Sequence, residues 1–210
     1  QVTVELLEPD AGALSAIEPL IANHRWLDAE VALNKIDVFS LNESELIQFH
    51  WLDANLSVAL GRGEAALLAM NSVAPGSFAL IPGLNPNAPG FLRASALHLK
   101  GEFIASARER MFLAGALVDD LEYQQNHQAI WTSLMQANDK NIETLSQKSS
   151  TRVFKGWLAL ALIVKRSQIN LDFQLRQLRK WQVLYDNHPA AKKLPGDLEQ
   201  LEDYVEGKAK

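Results

Sequence analysis

Val153-Phe154-Lys155-Gly156-Trp157-Leu158-Ala159-Leu160-Ala161-Leu162-Ile163-Val164 is the stretch on which the fold turns. Val153, Trp157, Leu160, Ala161 and Val164 recur at i, i+4, i+7, i+8 and i+11, the spacing of one face of an α-helix. The run Trp157–Val164 is eight residues long and is the longest apolar run in the chain. A membrane-spanning helix needs about 20 such residues, so this segment reads as a helix of a protein core. Its neighbours follow the same period. Leu171, Leu175, Leu178 and Tyr185 make a second stripe, and Phe103, Ala107, Met111 and Ala114 a third. The first two stripes are expected to face inward together as an antiparallel hairpin.

Punctuation agrees with the periodicity. Asn42 followed by Glu45 reads as a capping box, Asp197 after Pro195-Gly196 as an N-cap, and Pro189 as the first residue of a short helix. Helices are expected over 11–22, 26–38, 43–61, 64–73, 90–99, 102–118, 122–137, 139–147, 151–166, 171–186 and 197–206. The gaps are mostly a few residues, which favours antiparallel pairs. Residues 75–90 are the exception, holding Pro75, Pro82, Pro86 and Pro89, four of the eight prolines. This segment reads either as a functional loop or as a spacer pinned by Phe78, Leu80 and Ile81.

A weak repeat is visible. Leu60-Gly61-Arg62-Gly63-Glu64-Ala65-Ala66 aligns with His98-Leu99-Lys100-Gly101-Glu102-Phe103-Ile104, each a helix end, a Gly-Glu turn and a new helix. Trp157-x-x-Leu160-Ala161 is similar to the first half of the tetratricopeptide signature. The expected fold class is therefore all-α, an array of antiparallel helix pairs forming a tetratricopeptide-like α-solenoid. We expect one domain over 1–210, with sub-blocks 1–74 and 90–210 joined by the Pro/Gly-rich loop 75–90.

Composition supports this. Leu (33) and Ala (27) far outnumber Val, Ile and Thr together (25), a balance unsuited to a β fold. The absence of Cys excludes disulfides, thiolate zinc sites and a cysteine nucleophile. A net charge of −5 argues against general nucleic-acid binding. The chain begins at Gln1, which we read as the start of a mature or trimmed piece from which targeting information has been removed.

Chemical motifs are absent. His24, His50, His98, His127 and His188 are far apart and form no metal-binding pattern, so no metal or cofactor is expected. No Gly-x-Ser-x-Gly or Ser-x-x-Lys occurs. Asp119, Asp120 and Glu122 read as a solvated acidic face. Glu43-Ser44 resembles the acid pair of soluble lytic transglycosylases, but the Ala, Ser and Gly-rich segments that follow in that family are missing, and a first-turn acid at a helix N-terminus accounts for Glu43 fully. Trp26, Trp51, Trp131, Trp157 and Trp181 are expected mainly to fill gaps between helices. Charge is uneven. Residues 150–193 carry nine Lys/Arg against Asp172 and Asp186, a net +7, leaving −12 elsewhere. Arg176, Arg179 and Lys180 share a helix face, and Lys165 and Arg166 could extend it, so these five residues are the candidate partner-binding patch.

Gly156-Trp157-Leu158-Ala159-Leu160, together with Trp181-Gln182-Val183-Leu184-Tyr185-Asp186-Asn187-His188-Pro189-Ala190-Ala191-Lys192-Lys193-Leu194-Pro195, resembles the end of the N-terminal domain of the LpoA (YraM) family. These are outer-membrane lipoproteins of Gram-negative bacteria that activate a class A penicillin-binding protein. The resemblance implies a periplasmic tetratricopeptide-like domain. It also implies a further C-terminal domain resembling type I periplasmic binding proteins, a lipid anchor in the inner leaflet of the outer membrane, and no catalytic residues. It implies a class A penicillin-binding protein as partner, contacted through the C-terminal domain, with peptidoglycan or other cell-wall proteins as further candidates. The expected function is a non-catalytic protein-interaction scaffold in activation of peptidoglycan synthesis. The alternative is a peptidoglycan-processing enzyme or glycan-binding module on an α-superhelix.

Overall fold

In a computed structural model the described residues are 11–190, 202, 203 and 205–207, and ten α-helices are named within them. They are α1 (Ala11–Ala22), α2 (Trp26–Leu33), α3 (Glu43–Ala59), α4 (Gly63–Asn71), α5 (Ala88–Leu99), α6 (Phe103–Ala114), α7 (Asp120–Gln136), α8 (Asp139–Lys148), α9 (Arg152–Arg166) and α10 (Leu171–Leu184). No strand occurs among the described residues. The array of helix pairs read from periodicity is what the chain forms. The expected helix 197–206 lies largely outside the described residues, and its N-cap Asp197 wholly so.

Caps explain most boundaries. Asn42 accepts from the Glu45 amide while the Glu45 carboxylate accepts from the Asn42 amide, a complete capping box for α3. Asp119 accepts from the amides of Leu121 and Glu122, so this acid is the N-cap of α7 rather than part of a plain acidic face. Two expectations were too long. α2 stops at Leu33, because Asp37 instead caps a short 3₁₀ turn over Val38–Ser40. α6 stops at Ala114, ahead of Gly115.

One turn recurs three times. His24 (φ 58°), Gly61 (φ 76°) and Gly101 (φ 86°) each follow a helix in the left-handed conformation, and Arg25, Arg62 and Glu102 then start the next helix. Arg25 N–H donates back to Leu20 O and Arg62 N–H to Ser57 O, each at 2.8 Å, the bond of a Schellman ending. The repeat is therefore real, but its register pairs Gly61 with Gly101, two residues away from the alignment made on the sequence.

The chain forms two compact units, 1–101 and 102–210. The division falls after Gly101 and not at the Pro/Gly-rich segment, which belongs to the first unit. There Phe78 is buried and stands 5.4 Å from Trp51, ring to ring, while Ile81 is half-buried and Leu80 is exposed. Within the first unit, one core gathers Leu14, Ile17, Leu33, Leu52 and Leu56, and another Ile47, Ala69, Met70, Phe78 and Leu92. At Gly63 a Cβ would meet Ala96 O at 2.4 Å and Lys100 N at 2.7 Å, so α4 starts directly against the backbone of α5.

The second unit is built around α9. Trp157, Leu158, Leu160, Ala161, Ile163 and Val164 are all buried, more than one helical face, because α7, α8 and α10 each pack on this helix. Val153, expected on the inward stripe, is 40% exposed, since it sits in the first turn of α9 where cover is incomplete. Trp131, Trp157 and Trp181 are core residues, whereas Trp26 and Trp51 are only half-buried.

Candidate functional site

The residues that carry the family resemblance come together in space. Gly156 leaves a notch on α9 that the His188 ring fills; a Cβ there would meet His188 Nε2 at 2.4 Å and Tyr185 Cδ1 at 3.0 Å. Trp181 Nε1 donates to Gly156 O at 2.8 Å. Ala190 N–H donates to His188 Nδ1 at 3.1 Å, so the ring proton sits on Nε2, which donates to Val153 O at 2.8 Å. Trp157, Trp181 and Tyr185 surround the imidazole with centroids 5.4–5.9 Å away. The string Trp181…His188-Pro189-Ala190 is thus a lock that ties α10 and the following turn to α9. A glycine inside an apolar helical run was the available sequence signal for it; Ala191 to Pro195 lie outside the described residues.

Burial pulls the His188 pKa down, with Arg152 adding to the effect and the Val153 carbonyl opposing it. Burial also lowers His50, against Asp53, which raises it. A histidine whose folded pKa is depressed binds its proton more readily when unfolded, so stability is full above the unfolded pKa of about 6.5 and falls as pH drops below it. Asp53, raised mainly by burial, has the opposite sign: its contribution is full below the unfolded value and is lost as pH rises through the folded one. We expect urea midpoints to fall between about pH 7.5 and pH 5.5, and a flat or rising profile would contradict the two histidine assignments.

On the outer side of this lock lies a groove of about 440 Å³ between α8, α9 and α10. Leu162, Ile163, Phe173, Leu184 and Tyr185 supply apolar lining; Gln147, Gln174 and Gln177 supply amides; Arg166, Lys180 and Glu143 supply charge of both signs. Phe173 and Leu184 are exposed, which an isolated core would not require. No sequence pattern marked this groove, because three helices make it jointly.

The five candidate basic residues separate into two groups. Lys165 donates to the carbonyls of Met135 (3.0 Å) and Ala137 and pairs with Asp139 at 3.0 Å, so it caps the C-terminal end of α7. Arg166 pairs with Glu143 at 3.3 Å and Asp139 at 3.7 Å. Arg179 is matched by Glu202 at 2.7 Å. Arg176 and Lys180 are exposed and have no ion pair among the described residues. Arg152, another member of the basic segment, donates to Leu184 O at 2.8 Å at the end of α10 and pairs with Asp186 at 2.8 Å. Arg152 and Lys165 therefore serve helix ends, Arg166 and Arg179 are held by carboxylates, and Arg176 and Lys180 are left exposed without an ion pair among the described residues.

Glu43 is exposed in the first turn of α3. A cleft of about 210 Å³ nearby is lined by Glu18, Ser44, Gln48 and Trp51, together with Ile81 to Leu84, and Glu43 does not line it. No group of three or more His, Asp or Glu side chains suited to a metal occurs among the described residues, and no helix there is long and apolar enough to cross a membrane.

Comparison with known proteins places this geometry. The chain is 25% identical over 187 residues to a penicillin-binding protein activator LpoA of Photobacterium profundum, covering 89% of this chain and 30% of the relative. It is 24% identical over 195 residues to the LpoA of Haemophilus ducreyi, covering 90% and 32%. The chain thus spans about a third of the length of these relatives. Its fold matches a crystal structure of the LpoA N-terminal domain from Haemophilus influenzae with a TM-score of 0.62 at 21% identity, covering 90% of this chain and 83% of that one. The amino-terminal domain of E. coli LpoA matches with a TM-score of 0.57 at 22% identity, covering 89% and 81%. A sequence model of the LppC putative lipoprotein family matches residues 8–208. The resemblance first seen in residues 156–195 therefore extends over nearly the whole chain, which belongs to the LppC lipoprotein family together with its LpoA relatives.

Proposed function

We propose that the chain is a non-catalytic protein-interaction scaffold, the helical N-terminal part of a lipoprotein that activates peptidoglycan synthesis by a class A penicillin-binding protein. The observation that carries this reading is a match to LpoA activators across nearly the whole chain, on a fold with an apolar groove rimmed by Lys180. Stacked helix pairs hold such a groove rigidly at low conformational cost, and partner contact rather than chemistry then transmits regulation. In this reading the protein works in the periplasm from a lipid anchor in the inner leaflet of the outer membrane. A C-terminal domain contacts the synthase, and the groove of α8, α9 and α10 receives another cell-wall protein or peptidoglycan. Exposed Glu43, outside the cleft that holds Glu18 and Trp51, speaks against the lytic-transglycosylase alternative. Purified peptidoglycan incubated with the chain and chromatographed for soluble muropeptides is the test. The expected result is no release, with Glu43→Gln indistinguishable; release that Glu43→Gln abolishes would put the enzyme reading first.

A further inference from the structure

A second groove, of about 430 Å³, lies within the same unit between α6, the end of α8 and the start of α9. Its apolar residues include Phe112, 72% exposed, and Val153, 40% exposed. Neither lies where the core needs it: Phe112 follows the inward-facing Met111, and Val153 precedes the fully covered turn of α9. Together with Met111 and Phe154 they make a continuous apolar lining, the kind of surface on which interaction sites are built.

Charge indicates what docks. Among the described residues Arg108 and Lys148 line the groove, no Asp or Glu does, and neither cation has a carboxylate partner. The Arg108 guanidinium is held between two rings, 5.8 Å from Phe112 and 5.9 Å from Phe154. Stacking fixes it without neutralising it, so the charge is presented beside the aromatic surface. The adjoining start of α9 adds the same sign: Thr151 makes no side-chain cap, and the first turn contains no acid. This contrasts with the α8–α10 groove, where Glu143 offsets Arg166.

We infer that this groove is a docking site for a partner polypeptide that presents a carboxylate next to a bulky apolar side chain. The apolar side chain lies on Phe112, Met111 and Phe154 while the carboxylate takes the fork of Arg108 and the ammonium of Lys148. The inference is independent of the α8–α10 groove, because it rests on different residues and a different charge-reversal pair.

The test selects a random dodecapeptide display library on the immobilised chain and on Arg108→Glu/Lys148→Glu. The changed residues are exposed, so the variant should keep the parent circular dichroism and urea midpoint. The expected result is enrichment of peptides pairing Asp or Glu with Phe, Trp or Leu, whose binding by anisotropy weakens about tenfold or more with the charge reversal and with Phe112→Ser. No enrichment, enriched peptides without acids, or equal binding by both proteins would overturn the inference. So would phosphatidylglycerol vesicles that pellet the parent but not the charge-reversed chain, which would assign the groove to a lipid surface. A concentration-dependent dimer abolished by the same reversal would assign it to a second copy and equally overturn the peptide.

Discussion

Gly63→Ala should lower stability by about 3 kcal/mol, although alanine is ordinarily the better helix former. The added methyl would overlap Ala96 O at 2.4 Å, Lys100 N at 2.7 Å and Leu99 Cβ at 2.8 Å. Two of these are backbone atoms of α5 and its C-cap, which no rotamer change can move aside. α4 and α5 must separate, and the surrounding core of Ala69, Met70 and Leu92 loosens with them. Gly12→Ala is the internal control, because no atom of the described residues lies within 4 Å of a Cβ at Gly12 in α1. That change should be neutral or stabilising by up to about 1 kcal/mol. Urea unfolding followed at 222 nm would decide the matter, and equal midpoints for the two variants would contradict the close approach of α4 to α5.

Gly156→Ala is expected to cost about 2 kcal/mol net, the overlap outweighing a helix-propensity gain of roughly 1 kcal/mol. Here the obstacle is a side chain, His188, which could yield if it were free. It is pinned by hydrogen bonds at both ring nitrogens and enclosed by Trp157, Trp181 and Tyr185. Displacing it breaks the bond to Val153 O and leaves a buried donor unpaired, a penalty of about 1–3 kcal/mol by itself. His188→Ala removes the obstacle as well as the bonds, so Gly156→Ala should be markedly milder in that background. Additive losses in the double-mutant cycle would deny the coupling between these two residues.

Helices were legible in the sequence where a cap or a periodic stripe marked them, as at Asn42-Glu45 or Val153 to Val164. They were misjudged where local polar geometry won, as at Asp37, whose side chain accepts from Phe39 N and turns the chain out of α2. In the Pro-rich stretch Phe78 packs on Trp51 as its apolar character suggested, whereas Leu80, expected to pin the same segment, is exposed. The candidate site was legible only in part. Shared helix faces predicted the exposure of Arg176 and Lys180, but Lys165 reaches the carbonyls of Met135 and Ala137, some 30 residues earlier in the chain, and no local rule anticipates that cap. Neither groove was visible either, since each is defined by the packing of three helices.

In the proposed function this helical unit binds an envelope partner through exposed charge beside the α8–α10 groove. Arg176→Glu/Lys180→Glu should leave stability within about 0.5 kcal/mol of the parent, because both residues are exposed and unpaired among the described residues. The deciding measurement is a quantitative pull-down from periplasmic extract with the parent and this variant, each at low salt and at about 0.5 M salt, where surface attractions are screened. The account predicts discrete cell-wall proteins retained by the parent at low salt, and depleted about fivefold or more by either the charge reversal or the salt. Identical proteins retained in identical amounts by parent and variant would contradict it, and would leave Arg176 and Lys180 as an ordinary solvated helix face.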